Sequence, residues 1–599
     1  MRKHLHLFLF GAAVIVPAAL FSQTISFINQ TALLPTTTFH SGNAIGMVDM
    51  NNDGKDDIVR ADQNTQMYIE YQQAPNDTFT EASFPNTFGS PWGMCVGDFD
   101  NNGFNDVFWG PNGHGRVLSA DATGSSYITT DVTALTGAGN VFVQGCNFAD
   151  INNDSKLDLF VCHDSGMSHI YVGNGTVTGW TFDQALMPLA SSPASDNSGN
   201  YASIWTDINA DGLMDLMITH CRQGITQASD ARRIDQIFIN NGNGTYTQDV
   251  TNWTGLRDGE QGWSTAWGDI DNDGDMDAFV LNQTSNAKLM INNGSGVFTN
   301  IMMTSGIANP TSWFGENATF HDFDNDGFVD LMLSGDSSYL YRNNGNSTFS
   351  RVSPNIMLAS TGRGIRGHAV GDLNGDGFLD VYATYCSLYN SPSTSRNDRM
   401  WMNDCPNQGN TNHYIKFYLN GGAVSGMSNR NGIGAIVKIY GPWGVQVREV
   451  RSGEGYGLQN SFTLHFGLGA ETEIDSAIVV WPSGIVDQLG TTPGDQTITL
   501  LEGTAPLSTH TAPAQSLELN VYPNPVTDEA VIRLDHFASL GLNNLSVNVY
   551  DLNGKVIYSE SALQRSIIIL DRKMFSSGMY MVEVTNNNVR LATKKMIVE

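Results

Sequence analysis

The sequence predicts an all-β protein: a seven-bladed β-propeller, then a small β-domain, then a C-terminal Ig-like β-sandwich. Three observations carry this. An acidic nonapeptide recurs seven times with starts 49 to 62 residues apart. Apolar runs of strand length flank each copy. Glycine is abundant, at 62 of 599 residues, while lysine and arginine together number only 30, a balance that suits short strands and turns.

The copies are DMNNDGKDD (49–57), DFDNNGFND (98–106), DINNDSKLD (150–158), DINADGLMD (207–215), DIDNDGDMD (269–277), DFDNDGFVD (322–330) and DLNGDGFLD (372–380). A period near fifty over seven copies means stacked supersecondary units. In six copies a large apolar residue stands two positions before the loop (Val96, Phe148, Trp205, Trp267, Phe320, Val370), and runs such as LFV (159–161) or LML (331–333) follow it. Later in several units a third strand enters an Asn-Gly turn and a fourth strand, as in IFINNGNGTYTQDV (237–250), LMINNGSGVFTNI (289–301) and LYRNNGNSTFSRV (340–352). Asn-Gly between apolar strands signals a hairpin in which both turn residues take positive φ. Four strands per unit and seven units predict a closed propeller. The last unit lacks a fourth strand, and ISFINQTALL (25–34) is expected to supply it, closing the ring over 23–408.

Positions 1, 3, 5 and 9 of every loop are Asp or Asn. They are Asp49, Asn51, Asp53 and Asp57; Asp98, Asp100, Asn102 and Asp106; Asp150, Asn152, Asp154 and Asp158; and Asp207, Asn209, Asp211 and Asp215. The remaining loops give Asp269, Asp271, Asp273 and Asp277; Asp322, Asp324, Asp326 and Asp330; and Asp372, Asn374, Asp376 and Asp380. Oxygen ligands at odd positions of a tight loop match calcium, a hard ion that takes six to eight oxygens. Up to seven Ca²⁺ sites are expected, position 7 contributing only its backbone carbonyl. Loops 269–277 and 322–330, with four ligand aspartates each, are expected to bind tightest. Loop 150–158, with Ser155 where the other six have glycine, is expected to bend least comfortably. An EF-hand is excluded because its position 12 needs Glu, whereas Val280 and Leu333 stand there, and strands replace the flanking helices.

The formal charge is -30, which disfavours nucleic acid and anionic membranes as partners. The seven loops hold 25 of the 60 acidic residues, so seven bound ions would bring the charge to -16. At the N-terminus, Arg2 and Lys3 precede the apolar run LFLFGAAVIVPAAL (7–20) and the small-residue exit FSQ (21–23), which predicts a signal peptide over 1–22. No later stretch is long and apolar enough for a transmembrane span. The six cysteines allow 15 pairings. A Cys146–Cys162 bridge across loop 150–158 is one conceivable pairing, and burial as free thiols is the other reading.

With these loops and their LLxNNGxGTF-like hairpins, the chain resembles the FG-GAP/VCBS repeat family, including the calcium loops of integrin α-subunit propellers. NHYIKFYLNG (412–421), SNRNGIGAIVKIY (428–440), QVREVRSGEGYGLQN (446–460), LHFGLG (464–469) and IDSAIVVWPSG (474–484) resemble the ASPIC/UnbV domain of cartilage acidic protein-like proteins. By its own alternation this region, 409–502, is a small β-domain. GTAPLSTHTAPAQS (503–516) reads as a linker. YPNP (522–525), DLNGK (551–555) and the SGMY…KKMIV pattern of 517–599 resemble the type IX secretion sorting domain of Bacteroidetes, which implies passage across the outer membrane to a secreted or surface location.

The expected role is a binding or adhesion module for a glycan or protein ligand. The alternative is a calcium-assisted polysaccharide lyase or hydrolase. The chain carries no HExxH, GxSxG or P-loop pattern, and no catalytic residues are assigned. Trp92, Tyr201 and Trp263 each precede a loop by six residues and are expected near the face opposite the calcium hairpins, stacking on sugars or packing between blades. His114, His163 and His220 could face a pocket, while His465 is expected to bond locally.

Overall fold

The computed structural model describes residues 25–598 apart from 63–64, 74–77, 87–88, 112, 134–140, 190–198, 223, 283–286, 309–314, 355, 357–363, 388, 506–517, 523–524, 527–528, 536–544, 552–554, 562–566 and 587–588. The expected leader and most of the expected linker lie outside the described residues. Among the described residues the chain is all-β, with helix confined to single 3₁₀ turns, and no helix is long and apolar enough to cross a membrane.

Each acidic loop joins the first two antiparallel strands of a repeat sheet; six of these sheets are four-stranded, and around 49–57 Leu458–Gln459 adds a fifth strand parallel to Ser41–Val48. The sheet around 269–277 is representative: Gly262–Gly268, Asp277–Asn282, Lys288–Ile291 and Thr299–Asn300, in that order. Its first two strands are buried throughout, which explains why they read as continuous apolar and small residues rather than as alternation. Seven such sheets follow one another among the described residues. The first strand of each packs against the first strand of the next, and Gly367–Gly371 of the last packs against Ser41–Val48 of the first, so the ring closes. In the last sheet the outer strand is Phe27–Asn29, with Phe27 opposite Asn403 and Asn29 opposite Trp401. The N-terminal segment therefore supplies the strand that the last repeat lacks.

The hairpins at 241, 293 and 344 depart from the expected two-residue Asn-Gly turn. Positive φ falls on Gly242 and Gly244, on Gly294 and Gly296, and on Gly345 and Ser347, never on the leading Asn. Asn241 N–H donates to the Thr245 carbonyl at 2.9 Å, so the connection is a longer loop. The Asn amides that hold the loop, such as Asn243 Oδ1 accepting from Thr245 N at 3.1 Å, fix its shape in place of an Asn backbone at positive φ.

The region after the ring forms a three-stranded sheet in the order Leu464–Gly469, His413–Asn420, Gln496–Leu501 and a four-stranded sheet in the order Gly444–Glu449, Ile436–Gly441, Ser476–Val480, Val486–Leu489. Its apolar side chains, among them Phe417, Phe466 and Trp481, share one core with Val96, Trp109 and Phe148 of the repeat sheets. The last region has a three-stranded and a four-stranded sheet packed on a separate core that includes Val547, Ile568 and Val582. All six cysteines are buried and unbridged. The conceivable Cys146–Cys162 bridge is not made: Cys146 lies opposite Val161 and joins the core on one side of its sheet, while Cys162 joins the core on the other.

Candidate metal centres

The seven loops share one backbone scheme, and their side-chain oxygens build it. In each loop the position-1 carboxylate accepts the N–H of position 6, as Asp49 does from Gly54 at 2.8 Å and Asp322 from Gly327 at 2.8 Å. In six it also accepts from position 5, as Asp269 does from Asp273 at 3.1 Å. The position-5 side chain accepts from the N–H of position 7, as Asp211 does from Leu213 at 2.9 Å. The chain turns left-handed at two places. Position 6 is one of them, with Gly54 at φ 83° and Ser155 at φ 72°. The second, unforeseen in the sequence, is position 4: Asn52, Asn101, Asn153, Ala210, Asn272, Asn325 and Gly375 all have φ between 56° and 73°. Asn is the side chain that tolerates this conformation best after glycine, which explains its recurrence there.

Position 9 is a clip. In all seven loops one carboxylate oxygen accepts the N–H of position 2, as Asp277 does from Ile270 at 3.0 Å. The other accepts an N–H from the third strand or the residue just after it, as Asp57 does from Gln72 at 2.8 Å and Asp277 from Asn292 at 2.8 Å. Burial raises these acids: Asp158 stands at about 8, and Asp57, Asp106, Asp215, Asp277, Asp330 and Asp380 are pushed well above the ordinary carboxylate value. Position 1 behaves alike, burial holding Asp49 and Asp150 at about 6 and Asp98 and Asp207 at about 7. Keeping such carboxylates ionised requires a nearby positive charge.

Position 3 divides the loops. Where it is Asp, carboxylate oxygens of three residues converge within 4.8 Å: Asp98, Asp100 and Asp106; Asp269, Asp271 and Asp273; Asp322, Asp324 and Asp330. Where it is Asn, its amide can point at the position-5 carboxylate, as Asn209 and Asn374 do to Asp211 and Asp376 at 3.0 Å each. Oδ1 of Asp271, of Asp324 and of Asp372 is buried with no hydrogen-bond partner. Such oxygens fit a hard cation, because leaving them buried and unpaired is costly. Four loops already carry a protein cation, Lys55 and Lys156 pairing within their own loops with Asp53 and Asp154 at 3.2 and 3.8 Å. Arg342 reaches Asp324 and Asp326 at 2.5 Å each, and Lys416 reaches Asp372 at 2.6 Å.

The small β-domain lies over these loops. Tyr418 Oη donates to Asn52 Oδ1 at 3.2 Å, Asp98 N–H donates to Asn431 Oδ1 at 2.7 Å, and Asp207 N–H donates to Glu449 at 2.9 Å. Lys438 donates to the Gly274 carbonyl at 3.0 Å, Gly469 N–H to the Asn325 carbonyl at 2.8 Å, and His465 Nε2 meets the Gly377 carbonyl at 2.9 Å, a bond to a repeat loop rather than the local one expected of it. Lys416, Lys438, Arg448 and Arg451 thus bring positive charge to an acidic ring.

Residues 451–461 of this domain enter the ring and hydrogen-bond to the first strand of every repeat sheet. Gly457 carbonyl accepts from Ile45 N–H (3.3 Å), Ser452 Oγ donates to the Val96 carbonyl (2.5 Å), and Gly453 carbonyl accepts from the Asn147 amide (2.7 Å). Arg451 donates to Thr206 Oγ1 and to the Trp267 carbonyl (3.1 Å each). Tyr456 N–H donates to Asn317 Oδ1 (2.8 Å), and Asn460 Oδ1 accepts from Val370 N–H (2.9 Å). A Cβ on Gly453 would stand 2.2 Å from the Cys146 carbonyl, and one on Gly457 2.5 Å from the Trp92 carbonyl, so the GEGYG run is a close-approach requirement. The glycines at alternate positions were the signal for this plug in the sequence.

Trp92, Tyr201 and Trp263 pack between neighbouring sheets, Tyr201 against Trp263 at 4.2 Å and Trp92 against Phe142 at 5.5 Å. They gather round fully buried Tyr456, with ring centroids 6.0, 6.1 and 5.4 Å from it, and Tyr389 stacks on Trp92 at 6.0 Å and on Trp263 at 5.4 Å. Much of their ring surface faces one another. The three histidines do not share a pocket. Burial holds His220 at about 4, His163 Nδ1 accepts from Phe142 and Ser165 N–H at 3.3 Å, and His114 lies beside Phe108 and Tyr171.

A ring of repeat sheets with acidic hairpin loops, capped by a β-domain, is the architecture of an FG-GAP β-propeller. The FG-GAP-like repeat profile matches 49–109, 98–161, 150–218, 207–280, 271–333 and 322–383, and the chain belongs to this family. The ASPIC and UnbV profile matches 425–507, and that of the secretion system C-terminal sorting domain matches 520–599, which marks the protein for secretion or the outer surface. Strand His413–Asn420 precedes the matched ASPIC residues yet pairs with Leu464–Gly469 inside that domain. Cartilage acidic protein 1 of Mus musculus is 24% identical over 476 residues, covering 74% of this chain and 62% of that protein. An endo-acting ulvan lyase of Formosa agariphila (30% identical) and ulvan lyase NLR42 of Nonlabens ulvanivorans (33%) match over 82 and 84 residues, 14% of this chain and 15% of each enzyme. Those stretches are about as long as the sorting-domain match at 520–599. Among solved structures, an Agrocybe aegerita lectin recognising non-reducing terminal N-acetylglucosamine aligns with TM-score 0.37 at 17% identity over 52% of this chain and 79% of that one. BBS1N in complex with ARL6DN aligns with TM-score 0.39 at 9% identity over 63% and 97%.

Proposed function

We propose that the protein is a calcium-stabilised, seven-bladed propeller, exported by the type IX machinery through an Ig-like C-terminal domain, that works as a non-enzymatic binding module for an extracellular glycan or protein ligand. In this reading the domains run as a leader (1–22), propeller (23–408), ASPIC/UnbV domain (409–502), linker (503–516) and sorting domain (517–599). One observation carries the proposal: the position-1 and position-9 carboxylates of every loop are spent on holding the hairpin, and all but Asp150 are buried, which makes a cation at that loop structural. Loop 269–277 is the strongest site, because three carboxylates converge there and Asp271 Oδ1 lacks a partner, whereas Arg342 already balances loop 322–330. The ASPIC/UnbV domain covers the loop face, so ligands meet the opposite face and the outer rim.

The test is a screen of the calcium-loaded mature protein against polysaccharides and extracellular proteins, following both binding and new reducing or unsaturated ends. Binding without new ends is expected. The polysaccharide lyase or hydrolase reading draws on the stretch shared with the two ulvan lyases, and release of unsaturated or reducing ends would establish it instead.

A further inference from the structure

The ring closes where the N-terminal strand Phe27–Asn29 pairs with Arg399–Asn403, and a cavity of about 480 Å³ opens at that seam. Its size lies within the roughly 300–1,000 Å³ typical of small-ligand sites. In a chain with 60 acidic and only 30 basic residues, the charged side chains lining this cavity are Arg396, Arg399 and Asp398. The two arginines are half-buried and three residues apart. The Asp398 carboxylate faces the ring. Both its oxygens accept Ser41 N–H, at 3.1 and 3.0 Å, and Tyr382 Oη adds a third bond to Oδ2 at 3.2 Å.

The rest of the lining is hydroxyl, amide and aromatic. Asn397, Ser395 and Thr37 are exposed at the rim, and Tyr385 forms part of the wall. The Arg399 guanidinium stands 5.9 Å from the Tyr385 ring and 5.8 Å from the Trp401 ring, at the outer edge of cation–π range of both. A planar guanidinium fork matches a carboxylate or a sulfate ester bidentately. Exposed amides and hydroxyls beside it match sugar hydroxyls.

We infer that this seam cavity, lined by Arg396, Arg399, Asn397 and Tyr385, binds an acidic saccharide through its carboxylate or sulfate group. The inference rests on the binding-module reading and names its ligand class. Arg396 and Arg399 hold the anionic group, and the rim amide and hydroxyls meet the ring hydroxyls. Sequence separation hid the site, since Thr37 and Arg396 are brought together only by ring closure.

The experiment is calorimetric titration of the calcium-loaded, full mature chain with three probes: a uronate oligosaccharide from alginate, a sulfated oligosaccharide from heparin, and a neutral cello-oligosaccharide. At least one acidic probe binds and the neutral one does not, and the better acidic probe identifies carboxylate or sulfate as the group recognised. Arg396→Gln and Arg399→Gln each weaken that binding tenfold or more at an unchanged melting temperature. Arg399→Lys retains part of it, having the charge without the fork. Acidic-probe binding that survives the Arg396→Gln/Arg399→Gln double substitution overturns the cavity assignment while the binding-module reading stands. Binding of neutral saccharides or protein partners alone does the same. Release of new sugar ends overturns the binding-module reading instead.

Discussion

Asp277 and Asn292 are joined by a backbone-to-carboxylate bond of 2.8 Å that locks a loop to the residue just after the third strand of its own sheet, while the Asn292 amide ties that strand to the sheet before it. Asn292 Nδ2 donates to the Ile208 carbonyl at 2.9 Å, position 2 of the preceding loop, and to the Met276 carbonyl at 3.1 Å. Asn343 repeats this with Ile270 and Val329, and Asn403 with Phe323 and Leu379. Tyr127 and Tyr246 serve the same carbonyl position, bonding Met50 and Ile151 at 2.8 and 3.1 Å. The loops are therefore joints between neighbouring sheets. Asn292→Ala leaves two buried carbonyls without donors, at a cost of about 1–3 kcal/mol each. A lowered denaturation midpoint at unchanged m-value is expected, and no change in midpoint would show that water replaces the amide without loss.

Calcium and pH should act against each other. Burial raises Asp49 to about 6 and Asp98 to about 7, above the ordinary 3.8, so in the ion-free protein the folded state binds protons more tightly than the unfolded chain. The sign follows: this penalty is absent below pH 4, grows as pH rises through the folded values, and is complete near pH 8. Bound calcium offsets it by favouring the ionised form. The melting temperature in chelator should fall between pH 5 and 8, while the calcium-loaded value changes less. The gap between the two curves should widen with pH. A gap of constant size across that range would show that these carboxylates are not ion ligands.

The loops and the strands around them were legible because their signals are local: a side chain every second position, a glycine where the chain turns, an apolar run either side. The position-4 bend was equally local but hidden, because Asn at positive φ looks like one more ligand. The Asn292, Asn343 and Asn403 staples were not legible, since each partner carbonyl lies about 80 residues away on another sheet. Nor was the seating of Lys416 or Arg451 on the ring, for a charge on a strand does not announce which surface it will face. Tyr456 is the sharpest case. Its flanking glycines passed unread as a sign of close approach, and only the closed ring shows what is approached.

Ser155 holds φ 72° in a conformation that costs a side chain roughly 1 kcal/mol or more relative to glycine. Ser155→Gly gives loop 150–158 the residue the other six copies use. A modest rise in melting temperature is expected in both calcium and chelator, since the strain belongs to the backbone. A fall would show that the contacts of the buried Ser155 side chain outweigh its strained backbone.

The six thiols are buried and unbridged, so the native protein should not react with a thiol reagent over minutes, and denatured, unreduced protein should give six equivalents. Four equivalents would reveal one bridge, and peptide mapping would identify it.

Tyr456 decides whether the propeller and the ASPIC/UnbV domain are one folding unit. Its side chain is fully buried among Trp92, Tyr201 and Trp263, and its hydroxyl bonds Gln144 Oε1 at 3.1 Å. Tyr456→Phe removes only the hydroxyl and should cost about 1 kcal/mol. Tyr456→Ala opens a cavity where the aromatic rings converge and should cost about 3–5 kcal/mol. Because residues 451–461 satisfy first-strand groups of every repeat sheet, and Phe417 and Phe466 share a core with Val96 and Phe148, that loss should appear in the unfolding of the whole ring. A single calorimetric transition, shifted down by Tyr456→Ala and little by Tyr456→Phe, is expected for residues 25–502. A chain ended at residue 408 loses the partners of Val96, Asn147 and Val370 and uncovers that core, so it should expose apolar surface to a hydrophobic dye. Two separate transitions in the parent protein, with only the smaller moved by Tyr456→Ala, would show that the ring stands without its plug.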